Sequence, residues 1–288
     1  MTFPENNRTW KILNGAQKGG YAIAAFNCYN ADGILASIRA AEQLKAPAII
    51  EIFPWSIKFQ GPEYVKFAAN ACHSAKVPIA LHLDHCTEPE DVYTALELPF
   101  DSIMVDASSQ DPEENVKFVK SIVDLAATKG ITIEAEMGRI VGGEDGLPVV
   151  DMEALYTEPK DAADFVKRTG VHFLAPSIGN VHGPYPPGGP EKYWQLDRLQ
   201  AINDKLPEGV PLVLHGAYPV IDSLIKKTVD IGIRKVNLNG NLHEDYSAYI
   251  AANSGKVGMT TLQEESLKLF CAEAKRSIQL LGSDGKAQ

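Results

Sequence analysis

Three histidines in this chain are placed where they could share one metal ion. His85 ends the apolar run IALHLDH, His182 follows the run HFLAPS, and His215 lies near the end of the run LVLHGA. Three neutral imidazoles from separate strands, with a fourth position left open, form the ligand set of a catalytic zinc site. Each histidine taken alone reads as an ordinary core or surface residue. Three at corresponding positions predict a metal centre.

Carboxylates occupy the same kind of position. Asp84 directly precedes His85, while Asp106 and Glu136 lie near the ends of the runs SIMVDAS and TIEAEM. Carboxylates beside a metal can act as ligands, or they can accept and return protons during catalysis. For Asp84 two roles stay open from the residues alone: proton transfer, or orientation of the neighbouring imidazole.

Eight short apolar runs carry these residues, and segments of helical periodicity separate them. This alternation predicts an α/β fold, a (β/α)8 TIM barrel, in which the carboxyl ends of the strands meet on one face. Two late amphipathic segments, 242–252 and 260–281, predict extra C-terminal helices. The apolar runs cover residues 21–27, 47–53, 79–85, 102–108, 132–137, 172–177, 212–217 and 235–240.

Capping signals predict where two of the helices begin and end. The clearest helix spans 112–129, where Asp111 can cap the amino terminus and Gly130 can close the other end. Thr87 and Glu90 have the spacing of a capping box. The Gly- and Pro-rich segments 138–148 and 179–190 predict long loops over the barrel mouth.

Composition limits the class of protein. With 288 residues and 45% hydrophobic content, the chain can bury one large core, so we expect a single domain over 1–288. A net charge of -10 without Lys and Arg clusters argues against nucleic acid as the main partner. No apolar stretch approaches the roughly 20 residues of a membrane span, and the start MTFPENNRTW lacks a signal-peptide core. We therefore expect a cytoplasmic protein without a membrane partner.

Seven segments, taken in order, resemble the class II, zinc-dependent ketose-bisphosphate aldolases, the family of fructose-bisphosphate and tagatose-bisphosphate aldolases. The resemblance extends from about residue 21 to 242, and the order and spacing of the segments are more specific than any one of them. It implies a TIM-barrel aldehyde-lyase that acts on a sugar or sugar phosphate, and a homodimer. The segments are YAIAAFNCYN, LHLDH, FDSIMVDAS, EAEMGR, GNVHG, LVLHGA and GIRKVN.

Site roles carry over by position. The resemblance implies that His85, His182 and His215 bind the catalytic Zn²⁺ and that Asp84 transfers a proton. A loop acid of the family, which moves the proton on the nucleophile carbon, is similar to Glu144. The acidic residues of a second or alternate metal position match Asp106 and Glu136, which leaves a second divalent or a monovalent cation open.

The chemistry fits these groups. Cleaving a carbon–carbon bond beside a carbonyl leaves a carbanion that must be delocalised as an enediolate, and Zn²⁺ is a Lewis acid that stabilises the oxyanion. Asp84 would take the proton from the hydroxyl of the cleaved carbon and return it in the aldol direction. No Schiff-base lysine is then needed.

The phosphate-binding segments depart from the family. Glycine amides and Lys, Ser and Thr side chains hold the phosphate of the dihydroxyacetone phosphate half in the family. Here Pro186, Tyr218 and Gly240 stand where Lys, Ser and Thr are expected, and Phe53 and Trp55 replace a small polar residue. Each lost donor costs about 1 to 3 kcal/mol of phosphate binding. Backbone amides around Gly183, Gly216 and 238–240 can still form an anion nest, so the phosphate site is weakened rather than excluded. The residues expected to bind substrate are Asn27, Gly183, Gly216, Ala217, Tyr218, Asn237, Leu238, Asn239 and Gly240.

Three functional hypotheses result. The first is a zinc-dependent aldolase for a ketose (bis)phosphate such as fructose 1,6-bisphosphate, or for a related hydroxy-carbonyl compound without the usual phosphate. The second is a non-catalytic barrel that binds a metabolite, which the complete set of three histidines and Asp84 disfavours. The third is a metal-dependent hydrolase, whose usual H-x-H at the first strand is replaced here by AFNCYN. We expect that the metal chemistry is retained and that the substrate has changed.

Overall fold

Eight parallel strands close into one barrel in chain order in this computed structural model, which describes residues 4–143 and 155–287. Neighbouring strands pair in parallel all the way round, and the last pairs with the first. The (β/α)8 architecture predicted from the sequence is confirmed. The strands are β1 (Ile23–Asn27), β2 (Ala48–Ile52), β3 (Ile79–Cys86), β4 (Ser102–Val105), β5 (Thr132–Met137), β6 (Phe173–Pro176), β7 (Leu212–Leu214) and β8 (Ile233–Leu238).

Helices connect the strands and cover the outside of the barrel. The two that follow β8 lie where the late amphipathic segments predict them, and the last of them packs against the first crossover helix. In the described part of the chain the helices are α1 (Arg8–Gly19), α2 (Ala31–Gln43), α3 (Pro54–Gln60), α4 (Pro62–His73), α5 (Pro89–Ala95), α6 (Pro112–Ala127), α7 (Pro159–Thr169), α8 (Gly189–Tyr193), α9 (Leu196–Lys205), α10 (Asp222–Ile231), α11 (Gly240–Asn253) and α12 (Met259–Leu281).

The predicted caps of α6 are confirmed. The Asp111 side chain accepts a hydrogen bond from the Glu113 amide at 2.9 Å, which satisfies one of the amides that a helix start leaves without a partner. Three residues beyond the helix, Gly130 adopts φ +71°, the left-handed conformation in which a chain commonly leaves a helix. Local sequence alone therefore sets both ends of this crossover.

Two local predictions are wrong. The capping box at Thr87 and Glu90 does not form, because α5 begins at Pro89 with Glu88 as its N-cap and without a side-chain cap hydrogen bond. Proline fits the first turn because its missing amide would have no partner there, so the helix starts without the box. The eighth strand begins at Ile233, before the predicted run.

The barrel interior is layered along its axis. At the amino-terminal end, Leu13 and Ala16 of α1 pack against inward-facing strand residues such as Phe173 and close this end with an apolar plug. Buried charged residues lie among the same strands: Glu51, Glu134 and Lys235 are all fully buried. The predicted site residues follow at the strands' carboxyl ends. Among the described residues, no helix is both long and apolar enough to cross a bilayer.

Candidate active site

The three predicted histidines converge at the carboxyl end of the barrel. His85 lies in β3, His182 in the loop after β6, and His215 directly after β7. The ring centroid of His85 lies 4.7 Å from each of the other two. Ligand atoms of the three imidazoles and of Glu136 all lie within 4.8 Å of one another, and all four residues are buried. The fourth member of the cluster is thus the Glu136 carboxylate.

A β-bulge brings Asp84 and His85 into the same site. Successive residues of a regular strand point to opposite faces, so a flat β3 could present only one of them. Leu83 pairs with Ile103 and Cys86 pairs with Val105, which leaves one extra residue in β3. At that position His85 adopts φ +41°, a conformation that non-glycine residues rarely adopt and that is typical of functional sites.

The imidazole tautomers follow from their carboxylate partners. His85 Nδ1 lies 2.8 Å from Asp106 Oδ2, and His215 Nε2 lies 2.9 Å from Glu134 Oε1. If both nitrogens donate, the remaining nitrogens present lone pairs. Those two, His85 Nε2 and His215 Nδ1, face each other at 2.8 Å. Two lone pairs at this distance repel unless a proton or a cation lies between them, so the donor set fits a metal ion.

The electrostatics of the buried carboxylates and histidines also favour a bound cation. Burial alone would lower the pKa of His85, but the charges of Asp84 and Asp106 outweigh it and raise the pKa to about 10. Burial and the charge of Asp106 raise the pKa of Glu136 to about 8. The buried Oε2 of Glu136 has no hydrogen-bond partner among the described residues. Without a metal these groups retain protons, which a divalent cation would replace.

Asp84 is fixed by two amides. Asn27 Nδ2 donates to its Oδ2 at 2.9 Å, and Asn237 Nδ2 donates to its Oδ1 at 3.0 Å. The carboxylate is 2% exposed. Sequence reasoning expected both asparagines to bind substrate, and the structure brings both side chains to Asp84. This pair holds the carboxylate in one orientation beside the histidine cluster.

Sequence reasoning missed a buried charge network beneath the site. Lys235 Nζ lies 2.7 Å from Glu51 Oε1 and donates to Glu134 Oε2 and Asn237 Oδ1, each at 2.8 Å. Glu134 in turn contacts His215 through its other oxygen. The available signal was a charged residue inside an apolar run, two positions before a site residue: Glu134 precedes Glu136, and Lys235 precedes Asn237.

The other predicted metal-site residue, Asp106, lies beside the cluster. Its Oδ2 contacts His85, and its Oδ1 accepts hydrogen bonds from the Ser108 amide at 3.1 Å and hydroxyl at 2.7 Å. These partners lower the pKa of Asp106 although burial acts in the opposite direction. The carboxylate thus orients the imidazole. Glu144 lies outside the residues that the structure describes.

The loops expected to bind substrate surround this cluster. Gly216 has φ +67°, and a Cβ there would lie 2.4 Å from Val181 O, so only glycine allows the loops after β6 and β7 to pack together. Asn180 Nδ2 links the same loops by donating to His215 O at 3.0 Å. The remaining predicted residues extend the same segments: Gly183 follows His182, Ala217 and Tyr218 follow Gly216, and Leu238, Asn239 and Gly240 follow Asn237.

A family model described as fructose-bisphosphate aldolase class-II matches residues 7–286. The chain belongs to this family. It is therefore a metal-dependent aldolase, an aldehyde-lyase, and the resemblance seen in the sequence is confirmed.

Individual relatives match over nearly their whole length. A putative fructose-bisphosphate aldolase of Coccidioides immitis is 41% identical over 99% of this chain and 96% of its own. The fructose-bisphosphate aldolase of Thermus caldophilus is 35% identical over 96% and 98%. The sulfofructosephosphate aldolase of Alkalicoccus urumqiensis is 33% identical over 96% of each chain. The crystal structure of a putative fructose-1,6-bisphosphate aldolase from Coccidioides immitis superposes with a TM-score of 0.94 at 42% identity, covering 98% of both chains.

Proposed function

We propose that this protein is a zinc-dependent aldolase that reversibly cleaves a ketose (bis)phosphate such as fructose 1,6-bisphosphate, or a related hydroxy-carbonyl compound. The observation that carries the proposal is the placement of Asp84, held by two amides, beside the cluster of His85, His182 and His215. A metal site and an oriented carboxylate are the two parts that this reaction needs.

The donor set favours zinc. Three imidazoles and a carboxylate within 4.8 Å form a nitrogen-rich site, whereas magnesium and calcium select sites built mostly from oxygen. Bound there, Zn²⁺ would act as a Lewis acid at the substrate carbonyl and stabilise the negative charge that cleavage leaves. His85, His182 and His215 would hold it and leave a position open to substrate, with the Glu136 carboxylate next to them. A second cation at Asp106 is not needed, because that carboxylate already contacts His85 and Ser108.

Asp84 is assigned the proton transfer. In the cleavage direction its carboxylate takes the proton from the hydroxyl of the carbon that becomes the aldehyde, while the electron pair of the broken carbon–carbon bond goes to the carbon beside the carbonyl. In the aldol direction Asp84 returns that proton. Because Asn27 and Asn237 each donate to one oxygen, the carboxylate is held ready without losing its capacity to accept a further hydrogen bond.

The histidine orientations depend on the layer below. Glu134 accepts from His215, and Lys235 donates to Glu134 and to Asn237. The same lysine therefore supports one predicted metal ligand and one amide that holds Asp84. Carboxylates that accept from a ligand imidazole fix its tautomer and orientation, and losing one typically weakens metal affinity about 10- to 100-fold.

The test combines metal content with turnover. Zinc-loaded and chelator-treated protein would be assayed for cleavage of fructose 1,6-bisphosphate, tagatose 1,6-bisphosphate and the unphosphorylated ketoses, and zinc would be measured by mass spectrometry. We expect His182→Gln to lose zinc and activity together. His73→Gln, in an exposed histidine paired with Asp101, is the matched control and should retain both. Zinc binding without cleavage of any ketose would favour a binding or hydrolytic role and contradict the proposal.

The expected homodimer stays a prediction that light scattering can test. A dimer would give twice the chain mass of 31.3 kDa. A single-chain mass would contradict it.

A further inference from the structure

A cavity of about 380 Å³ opens between the loops that carry the site residues. Part of its lining closely follows site residues in sequence, and His243, which also lines it, lies 3.0 Å from the carbonyl oxygen of Asn27. Tyr29 lies two positions after Asn27, Gly183 directly follows His182, and Asn239 lies two positions after Asn237. If the carbonyl of a substrate lies at the histidine cluster, the end of the substrate next to that carbonyl would lie in this cavity.

The side of the cavity nearest β7 is formed by Tyr218 and Gly240. The Tyr218 ring lies so close to the glycine that a Cβ at position 240 would stand 2.4 Å from its Cδ1 and 2.8 Å from its Cε1. The Tyr218 hydroxyl donates to Glu244 Oε2 at 2.9 Å, which holds the ring in place. The ring thus fills the volume that a side chain at position 240 would otherwise occupy.

In the part of the chain that the structure describes, the cavity is lined by no side chain with a permanent positive charge. Among the described residues, no Lys, Arg, Asp or Glu lines it, and its polar groups are tyrosine hydroxyls, asparagine amides, Ser247 and His243. The segment 144–154, which lies outside the described residues, reads EDGLPVVDMEA and contains no Lys or Arg. The amino terminus of α11 contributes a positive pole of roughly half a charge, well short of a phosphate dianion.

The arginine of a second cavity, which shares Tyr218 with the first, is already paired. A second cavity of about 270 Å³ lies against Tyr218 and includes Arg276 in its lining. Arg276 donates to Asp222 at 2.9 Å and to Glu273 at 2.8 Å. Glu244, which accepts from Tyr218, adds negative charge on this side. Phosphate recognition usually relies on a cationic side chain as well as on neutral donors, and the arginine of this second cavity is already paired with two carboxylates.

We propose that this cavity binds an uncharged, hydroxylated end of the substrate, so that the carbonyl-bearing half is released as a neutral ketone such as dihydroxyacetone. The Tyr218–Gly240 pair determines this specificity by replacing small hydroxyl donors with a ring. Tyrosine and asparagine side chains provide donors, acceptors and apolar faces that match a hydroxylated carbon chain. This inference rests on the proposed aldol chemistry and names the substrate class for it.

The test isolates the half of the substrate that the cavity would hold. An aldolase removes a proton from its ketone donor even without the aldehyde, so exchange of the donor's carbon-bound hydrogen for deuterium can be followed by NMR in D₂O. Zinc-loaded full-length protein would be incubated with dihydroxyacetone or with dihydroxyacetone phosphate, and kcat/KM for exchange compared. We expect dihydroxyacetone to be preferred by at least about tenfold, since no lysine or arginine of the cavity lining offsets the charge of a phosphate dianion.

Substitutions at Tyr218 and Gly240 test whether this pair causes the preference for dihydroxyacetone over dihydroxyacetone phosphate. Tyr218→Ser combined with Gly240→Ser restores two small donors and should shift the ratio at least about tenfold towards the phosphate. Tyr93→Ser, the same substitution at an exposed tyrosine on α5, should leave the ratio unchanged. A wild-type preference for the phosphate, or an unchanged ratio in the double variant, would overturn the specificity inference alone. Exchange with neither ketone would overturn the proposed aldol function itself.

Discussion

Lys235 and Glu134 form a fully buried ion pair, with 2.8 Å between Nζ and Oε2, directly beneath the candidate metal site. Burial opposes the charge on the lysine, but Glu134 and Glu51 outweigh it and raise the pKa of Lys235. The ammonium therefore stays charged, lies 2.7 Å from Glu51 Oε1, and donates hydrogen bonds to Glu134 and Asn237. Through the last two it supports His215 and Asp84, so the layer that stabilises the barrel core also orients the site.

Replacing Lys235 with methionine should damage both stability and metal binding. The substitution leaves two buried carboxylates without a counter-charge, and removing one partner of a buried pair typically costs about 3 to 5 kcal/mol. Zinc affinity should fall about 10- to 100-fold, because Glu134 would no longer be fixed against His215. Denaturant unfolding and competitive zinc titration measure the two effects.

The double variant Lys235→Met/Glu51→Gln is the control for this prediction. It removes one of the two buried carboxylates that lose Lys235, so it should recover part of the lost stability while zinc affinity stays low. Unchanged zinc affinity in a folded Lys235→Met protein would show that the network serves the core and not the site.

Tyr218 and Gly240 should behave as an energetically coupled pair. Gly240→Ala places a methyl group 2.4 Å from the ring, and overpacking of this kind typically costs about 1 to 3 kcal/mol. In a Tyr218→Ala background the same change should be nearly neutral, because the clashing ring is gone. A double-mutant cycle of unfolding free energies measures the coupling. Additive effects would mean that the ring moves away at no cost and does not define the cavity.

The free energy of unfolding should decrease at acidic pH because of His172, a residue remote from the metal ligands. Burial lowers the pKa of His172 to about 4, and its Nδ1 accepts a hydrogen bond from the Ile133 amide at 2.9 Å. In the unfolded chain the imidazole takes up a proton near pH 6.5, so between about pH 6.5 and 4 the unfolded state binds more protons than the folded state. Stability is therefore retained above this window and lost as pH falls through it.

His172→Asn tests this assignment because an amide oxygen can accept from the Ile133 amide without titrating. Unfolding free energies of the wild type and the variant, measured from pH 7 to pH 4, should show a shallower decline in the variant. Parallel pH profiles would assign the acid sensitivity to other groups.

The sequence predicted the strands and the histidine cluster, but it did not predict the bulge in β3. The apolar runs located all eight strands, and the positions of His85, His182 and His215 located the cluster, because parallel strands of a closed barrel end on one face. The bulge that lets Asp84 and His85 share that face could not be predicted, since no particular residue type indicates a bulge there.

Contacts between residues that are far apart in sequence could not be predicted either. Lys235 reads as an unexplained charge in a strand until its contacts with Glu51 and Glu134 are known, and those residues are far away in sequence. Likewise, Tyr218 and Gly240 read as two separate departures from the family pattern. Only the packing shows that the ring of one requires the absence of a side chain in the other.

The central claim is that Asp84 transfers the proton while the histidine cluster holds zinc. The most direct measurement is the kcat for ketose cleavage by zinc-loaded wild type and Asp84→Asn, together with the zinc content of each. The isosteric amide cannot accept the proton, so kcat should fall by about 10² to 10⁴ while zinc stays bound. An Asp84→Asn protein that retains its zinc and cleaves at the wild-type rate would contradict the account.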